Sequence, residues 1–346
     1  MQAEDLIALN EEIAAMARAG LPLDQGLAAL AQELDRGQLR QVTAQLATDL
    51  RAGRTLPEAL QRQGSRVPPF YAGLVEAAIR SGRVAEVLAT LTVYARTIAG
   101  LRATVVDAAL YPAVVLVFAV AILGVVLGFL VPMFGDIFRD FGMRLPVVTE
   151  IILAVCGRPR QFLFAPVLAI LGVLVLLKAA LGGTEQGRRW WTRAIYALPI
   201  VGTLIRTARL AAFTDLLAIL VDYGLPLPRA FQLAGEASSD PFLAVGAREA
   251  QKDLEGGLPL GPVLRNRLVV AQLIAWMTTL GEQRGELGKT LHQVAELYRR
   301  QVERRAVLVR TVLPPFLIIG TAGVLVCLFV FALILPMIRL LEGLSK

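Results

Sequence analysis

Apolar residues in the first hundred positions follow the spacing of one face of a helix. The i, i+3, i+4, i+7 spacing of an amphipathic α-helix is kept by Leu6, Leu9, Ile13, Met16 and Ala17. Breaks in the pattern, which predict helix ends, fall near Gly20, Gly37, Gly53, Gly64 and Gly82. Because no run alternates with a period of two, we expect no sheet. The pattern predicts about six short helices in an antiparallel bundle.

The segment Gly-Leu-Pro-Leu occurs at residues 20–23 and again at 224–227. Glycine is favoured where a helix ends in the left-handed conformation, so Gly20 and Gly224 predict helix ends. Proline is favoured in the first turn of a helix, so Pro22 and Pro226 predict the start of the next helix. We expect both segments to be structural turns.

These turns belong to an internal repeat that covers most of the chain. The separation of 204 residues between the turns also relates Asp49-Leu50 to Asp253-Leu254 and Gly53 to Gly257. After a one-residue slip, a separation of 203 relates Gly82 to Gly285 and Pro112 to Pro315. Chance similarity between apolar sequences does not keep one offset through glycines and prolines. The sequence therefore predicts a duplicated helical domain.

Three predominantly apolar stretches predict membrane-spanning helices, each of which needs about 20 such residues. They are residues 108–134, 162–183 and 311–338, and Lys178 can extend its ammonium to the membrane surface. No strong breaker separates the last helix of each repeat from the following span until Pro112 and Pro314-Pro315, so each pair is expected to be continuous or kinked only there. Small residues that let another helix approach closely stand at Gly124, Gly128, Gly320 and Gly323.

Lysine and arginine in the flanks of these spans predict the orientation of the chain. Residues 1–107 and 184–310 are expected in the cytoplasm, with the loop 135–161 and the tail 339–346 outside. Hydrophobic residues make up 56% of the chain and charged residues 18%, whereas soluble proteins average about 45–50% and about 25%. The net charge of +7 is then mainly a topology signal, and we expect no nucleic-acid partner. The acidic N-terminus, without an apolar core behind it, predicts no secretory leader.

Residues for catalysis or metal binding are sparse. Two cysteines and one histidine are too few for a disulfide scaffold or a zinc cluster. A phosphate-binding loop near Gly281 would need glycine where Gln283 stands. We therefore expect no enzyme, no cofactor and no catalytic or metal site. A cation site at a bundle interface stays open for Asp49, Asp253, Glu282 and Glu286, although helix caps and solvated faces are favoured for them.

A basic stretch precedes the third span and contains Arg299, Arg300, Arg304, Arg305 and Arg310. We expect it to contact lipid phosphates in preference to an acidic partner. Glu282 and Glu286 are further candidates for partner contacts. The spans lack the buried ionisable residues that mark transport pathways, so assembly with other helices is favoured over transport.

Taken in order along the chain, these features resemble the F-family inner-membrane platform proteins of bacterial type II secretion and type IV pilus assembly. The second domain opens with Leu198-Pro199-Ile200-Val201-Gly202, and the Gly-Leu-Pro-Leu turns fit the family pattern. The segment from Gly281 to Leu287 is similar to the family signature G-E-x-x-G-x-L. The first repeat departs from that signature, since Ile79 stands where glutamate is usual. Because the first repeat begins almost at Met1, we also expect the N-terminal extension of many members to be missing.

The pattern and the resemblance together imply an all-α integral membrane protein with two homologous cytoplasmic six-helix bundles and three transmembrane helices. The resemblance implies a place in the bacterial inner membrane, where we expect the N-terminus in the cytoplasm and the C-terminus in the periplasm. The resemblance implies a homo-oligomeric platform that engages a hexameric ATPase, other inner-membrane assembly subunits, and pilin or pseudopilin.

Service in a type II secretion system is the first hypothesis, and type IV pilus assembly is the alternative. A small-solute permease is a distant alternative. A membrane-tethered enzyme or signalling protein would need a catalytic cluster that the sequence lacks.

Overall fold

The structure is a computed structural model that describes residues 3–34, 37–68, 70–126, 133, 185–198, 200–238, 240–268, 272–330, 334 and 338. Within these ranges the chain consists of helices and short connections and contains no strand, which confirms the all-α class for the described part. The predicted second span 162–183, the loop 135–161, the tail 339–346 and Gly128 lie outside the described residues.

The first repeat folds into helices joined by short turns. They are α1 (Ala3–Arg18), α2 (Leu23–Glu33), α3 (Gln38–Arg51), α4 (Leu56–Arg62), α5 (Phe70–Ser81) and α6 (Val84–Val125), with a 3₁₀ turn at Gly64–Arg66. The second repeat follows α7 (Glu185–Ala197). Its helices are α8 (Val201–Asp222), α9 (Leu227–Ala237), α10 (Pro241–Glu255), α11 (Leu260–Leu268), α12 (Gln272–Gln283) and α13 (Leu287–Phe329).

The two Gly-Leu-Pro turns share one hydrogen-bond pattern. Gly20 and Gly224 adopt left-handed φ angles of +65° and +75°. The N–H of Leu21 donates to the carbonyl of Met16, and the N–H of Leu225 to that of Leu220, as in a Schellman helix end. The sequence places Pro22 and Pro226 in the first helical turn, but both lie one position earlier, as the N-cap residues of α2 and α9.

Contacts divide the chain into two compact units, and the first contains Met1–Val105 together with Ile195–Arg304. Both repeats contribute to one hydrophobic core in this unit, with large side chains such as Leu9, Leu74, Leu217 and Phe231 fully buried. Each such side chain contributes about 1.5–3 kcal/mol relative to exposure. The sequence predicts two bundles without indicating that they share a core.

The second unit contains Val106–Ala194 and Arg305–Lys346. It includes the apolar ends of α6 and α13, which run without a break through Pro112 and through Pro314 and Pro315. Both helices are long and apolar enough to cross a membrane. Phe118 is 64% exposed and Phe316 is 70% exposed. Exposed aromatic side chains on such long apolar helices are typical of a surface that faces lipid.

Candidate functional site

The two repeats meet inside the first unit where α5 and α6 face α8 and α9. A Cβ atom added at Gly73 on α5 would lie 3.3 Å from Leu233 Cδ1 on α9. The hydroxyls of Thr90 and Tyr223 are 2.8 Å apart. The Arg83 guanidinium carbon lies 5.3 Å from the centre of the Tyr223 ring, within cation–π range. We call this contact the repeat junction.

A polar cleft of about 410 Å³ lies at the repeat junction. Its lining residues are Arg83, Glu86, Thr90, Ile219, Asp222, Tyr223 and His292. Arg83 pairs with Glu86, and His292 Nε2 lies 2.7 Å from Asp222 Oδ2. The Asp222 carboxylate lies directly beside Gly288 of α13, because a Cβ atom at that glycine would lie 1.8 Å from Asp222 Oδ1. The cleft therefore presents charged groups that are already paired within the chain.

Next to this cleft, the buried carboxylate of Asp215 on α8 pairs with Arg299 on α13. Arg299 Nη2 lies 2.7 Å from Asp215 Oδ1, and His292 Nδ1 lies 3.9 Å from the same oxygen. Burial raises the pKa of Asp215 above its usual value, while Arg299 and His292 oppose that shift. Arg299 thus links α13 to α8. This arginine of the basic stretch therefore makes a contact inside the first unit.

The first repeat contains the same ion pair at equivalent positions. Arg96 on α6 binds Glu11 on α1, and both side chains are largely exposed. Arg96 corresponds to Arg299 at a separation of 203, and Glu11 corresponds to Asp215 at 204. Sequence reasoning missed both pairs. The signal that finds them is the retention of opposite charges at matching positions of the two repeats.

Glu282, the glutamate of the G-E-x-x-G-x-L segment, closes the N-terminus of the neighbouring helix α11. Its Oε2 accepts a hydrogen bond of 3.1 Å from the N–H of Leu260, the first residue of α11. A helix leaves its first N–H groups without partners inside the helix, and a carboxylate at this end also meets the positive end of the helix dipole. The chemistry of Glu282 in the described structure is therefore helix capping.

The first repeat closes the equivalent helix end with a local residue. Thr55 and Glu58 form a capping box at the start of α4, where the Thr55 N–H donates to Glu58 Oε2 at 2.8 Å. That hydrogen bond lowers the pKa of Glu58 below its usual value. Pro259 stands at the position of Thr55 in the second repeat, and Ile79 stands at the position of Glu282 in the first. The first repeat therefore caps this helix with Thr55 and Glu58, and the second repeat caps it with Glu282.

The acidic positions considered for a cation make contacts within the protein. Asp49 is buried beside Arg54, and Asp253 accepts from Arg267 Nε at 2.6 Å. Arg267 holds the pKa of Asp253 below its usual value. No group of three or more histidine, cysteine, aspartate or glutamate side chains is placed to hold a metal ion in the described part of the chain.

The five arginines of the basic stretch do not share one surface. Arg299 turns inward to Asp215, and Arg300 Nε lies 3.0 Å from Glu296 Oε1. Arg304 and Arg310 are exposed, and Arg305 is half-buried. Glu286 is exposed at the start of α13.

The glycines proposed for helix packing differ in their surroundings. A Cβ atom at Gly320 or Gly323 would meet no atom within 4 Å, so both positions are open. Gly124 is half-buried. Packing of a further helix on these positions stays a prediction.

Comparison with known sequences decides the family. A family profile described as type II secretion system protein F matches residues 11–132 and again residues 213–336. The chain belongs to the type II secretion system protein F family. Because the two matched segments coincide with the two repeats, the duplication predicted from the sequence offsets is confirmed.

Relatives with curated names extend over nearly the whole chain. The type IV pilus assembly protein PilC of Thermus thermophilus is 30% identical over 343 residues, which cover 99% of this chain and 84% of the relative. The type IV pilus assembly protein TapC of Aeromonas hydrophila is 26% identical, with 97% of this chain and 81% of the relative covered. The type II secretion system protein F of the same organism is 26% identical, with 97% and 86% covered.

Family membership and the two long apolar helices indicate an inner-membrane protein of secretion or pilus machinery. Relatives of both kinds align over similar lengths, so the comparisons support the role of the family without separating the two systems.

Proposed function

We propose that this chain is the inner-membrane platform of a type II secretion system. In this role it couples a cytoplasmic secretion ATPase to assembly of a pseudopilus for protein export, and it catalyses no reaction itself. The observation that carries the proposal is the double match to the secretion protein F family, which covers both repeats. A type IV pilus assembly platform is the second candidate, because the relatives include type IV pilus assembly proteins.

The proposed topology has three membrane spans, at 108–134, 162–183 and 311–338. Two helical segments, 1–107 and 184–310, lie in the cytoplasm, while the loop 135–161 and the tail 339–346 lie in the periplasm. Supporting this topology, α6 and α13 each continue from a repeat into an exposed apolar stretch. Trp190 on α7 is 60% exposed between the exposed Arg189 and Arg193, as is typical of a membrane–water interface.

The proposed partners follow from this placement. The hexameric ATPase engages the cytoplasmic helices, and other inner-membrane subunits and pseudopilin or pilin pack against the apolar helices, where Gly320 and Gly323 leave room for close approach. Because α6 and α13 are each one continuous helix, movement of a cytoplasmic end displaces its apolar end. The exposed Arg304 and Arg310 are proposed to contact lipid phosphates.

Crosslinking mass spectrometry on the tagged full-length chain, purified from its native membrane, tests the proposal. We expect crosslinks from the cytoplasmic helices to a hexameric ATPase and from the apolar helices to a filament subunit. A pseudopilin among the products supports secretion, and a type IV pilin supports the second candidate. Another multi-pass protein of the same membrane, carrying the same tag, serves as the control. An intact cytoplasmic surface that yields neither ATPase nor filament subunit contradicts both.

A further inference from the structure

The repeat junction joins one face of the first repeat to a different face of the second. Gly73 and Arg83 mark the face used by the first repeat, and Leu233 and Asp222 mark the face used by the second. The residues of the second repeat that correspond to Gly73 and Arg83 form one further face. The residues of the first repeat that correspond to Leu233 and Asp222 form another. We call these two counterparts the open faces, and their residues are found with the sequence separations of the duplication.

The first open face is on the second repeat, at α12 and the start of α13. Trp276 corresponds to Gly73, and Glu286 corresponds to Arg83, both at a separation of 203 residues. Trp276 is 61% exposed, and Glu286 is exposed as well. A large exposed tryptophan is uncommon on a finished surface and is enriched in protein interfaces.

The second open face is on the first repeat, at the end of α1 and along α2. Ala29 corresponds to Leu233, and Arg18 corresponds to Asp222, both at a separation of 204 residues. Ala29 and Arg18 are both exposed, whereas Leu233 is buried in the repeat junction. Leu21 lies beside this face and is 56% exposed.

The sizes of the side chains are exchanged between the junction and the open faces. In the junction, the small residue Gly73 on the first repeat receives the large residue Leu233 of the second. On the open faces, Trp276 is the large residue and Ala29 is the small one. In both arrangements a large side chain therefore stands at one position and a small side chain at the matched position of the other repeat.

The charges are exchanged in the same way. Arg83 on the first repeat and Asp222 on the second line the same cleft at the junction. On the open faces, Glu286 takes the place of Arg83 and Arg18 takes the place of Asp222. Each position has changed sign, so the opposite charges across the contact are kept. Charge complementarity of this kind sets the register and the choice of partner at an interface.

We propose that the occupant of the open faces is a second copy of this chain, placed head to tail. The α12–α13 face of one copy, with Trp276 and Glu286, packs against the α1–α2 face of the next, with Ala29 and Arg18. The contact repeats between chains the geometry of the junction within one chain. Such an interface is heterologous, and a series of these contacts either closes into a ring or continues as an open array.

The exposure of Trp276 excludes the simplest alternative within one chain. If the repeats were related by an exact twofold axis, Trp276 would pack on Ala29 of its own chain, as Gly73 packs on Leu233. Trp276 is instead 61% exposed. The open faces therefore remain available to a neighbouring molecule. This inference rests on the repeat geometry and does not depend on the proposed secretion role.

Directed disulfide formation in native membranes tests the contact. Both natural cysteines are first removed as Cys156→Ser and Cys327→Ser. Full-length chains carrying Ala29→Cys or Trp276→Cys are then expressed separately and together, with two different tags. We expect a disulfide-linked dimer containing both tags when the two variants are present together, and little dimer from either variant alone.

The control replaces Ala29→Cys by Ala52→Cys, an exposed alanine at the end of α3. Dimers from Ala29→Cys alone or Trp276→Cys alone would indicate a twofold contact and overturn the proposal. A mixed yield no higher than the Ala52→Cys control would also overturn it, whether the faces are bare or covered by another protein. ATPase and filament subunits play no part in this readout, so it can fail while the secretion role stands.

Charge reversal provides an independent arm of the test. Arg18→Glu places two carboxylates opposite each other and should lower the mixed dimer yield at least about fivefold, since like charges across an interface cost several kcal/mol. Adding Glu286→Arg to the partner restores opposite charges and should return the yield to near its starting value. A yield that is insensitive to Arg18→Glu, or not restored by Glu286→Arg, contradicts the proposed register.

Discussion

Equivalent residues of the two repeats carry the same ion pair in different surroundings. Asp215 is buried where it meets Arg299, whereas Glu11 is largely exposed where it meets Arg96. An exposed pair contributes about 0–1 kcal/mol, but removal of one member of a buried pair costs about 3–5 kcal/mol. Because the guanidinium of Arg299 is partly exposed, we expect the loss of one member of the Asp215–Arg299 pair to cost a free energy between these two values.

The pH dependence of stability tests the buried carboxylate. Because burial raises the pKa of Asp215 in the folded protein above that in the unfolded chain, the folded state binds more protons as the pH falls. Between neutral pH and the unfolded pKa of about 3.9, the wild type should therefore gain stability relative to Asp215→Asn. Thermal unfolding in detergent at several pH values measures the difference. A wild type that loses stability relative to Asp215→Asn on acidification contradicts the assignment.

The cap at α11 gives a prediction with a matched control from the other repeat. Glu282→Ala removes the acceptor for the Leu260 N–H and should lower the free energy of unfolding by about 1 kcal/mol. Ile79→Ala changes the equivalent position in the first repeat, where Thr55 and Glu58 already cap the helix, and should have little effect. Thermal unfolding of the two variants gives the comparison. Equal losses would show that Glu282 is not acting as a cap.

The site residues differ in how far the sequence alone defines them. Glu282 was found from its motif, but its role required the contact with Leu260, which is 22 residues away. The partner of Arg299 is 84 residues away on α8, and no local pattern links the two. Long-range contacts of this kind depend on how the helices pack, which spacing along one helix does not determine.

At the scale of the helices, equivalent helix ends of the two repeats have glycines with the same backbone conformation. Gly53 and Gly257, and likewise Gly82 and Gly285, share left-handed φ angles between +69° and +81°. These ends were accessible from the sequence because the left-handed conformation is a local requirement that glycine meets without strain. The contact between α5 and α9 could not be predicted from the sequence, because it depends on Gly73 of one repeat meeting Leu233 of the other.

A pair of glycine substitutions tests the requirement for the turn. Gly224→Ala forces a Cβ atom into a left-handed position and should lower the free energy of unfolding by about 1–2 kcal/mol. Gly100→Ala is the matched control, because Gly100 lies inside α6 with open space around its Cβ position. That change should raise stability by about 0.5–1 kcal/mol. Denaturation in detergent measures both, and a neutral Gly224→Ala would contradict the turn assignment.

For the whole molecule, the duplication explains both the common core and the remaining surface. One unit contains the core of both repeats, so the repeats form a single body in place of two independent bundles. The hydrophobic pattern indicates which residues are buried, but not whether they are buried within a repeat or between repeats. Leu233 shows the difficulty, since its apolar spacing on α9 gives no sign that Gly73 lies opposite.

The proposed topology places both repeats on the cytoplasmic side of three membrane spans. Thiol accessibility in intact cells tests it most directly, with Ala52→Cys, Lys252→Cys and Ser345→Cys placed singly in the Cys156→Ser, Cys327→Ser background. We expect a membrane-impermeant maleimide to label only the cysteine at 345 in intact cells, and the other two cysteines to react after the cells are opened. Labelling at 52 or 252 in intact cells, with 345 protected, would contradict it.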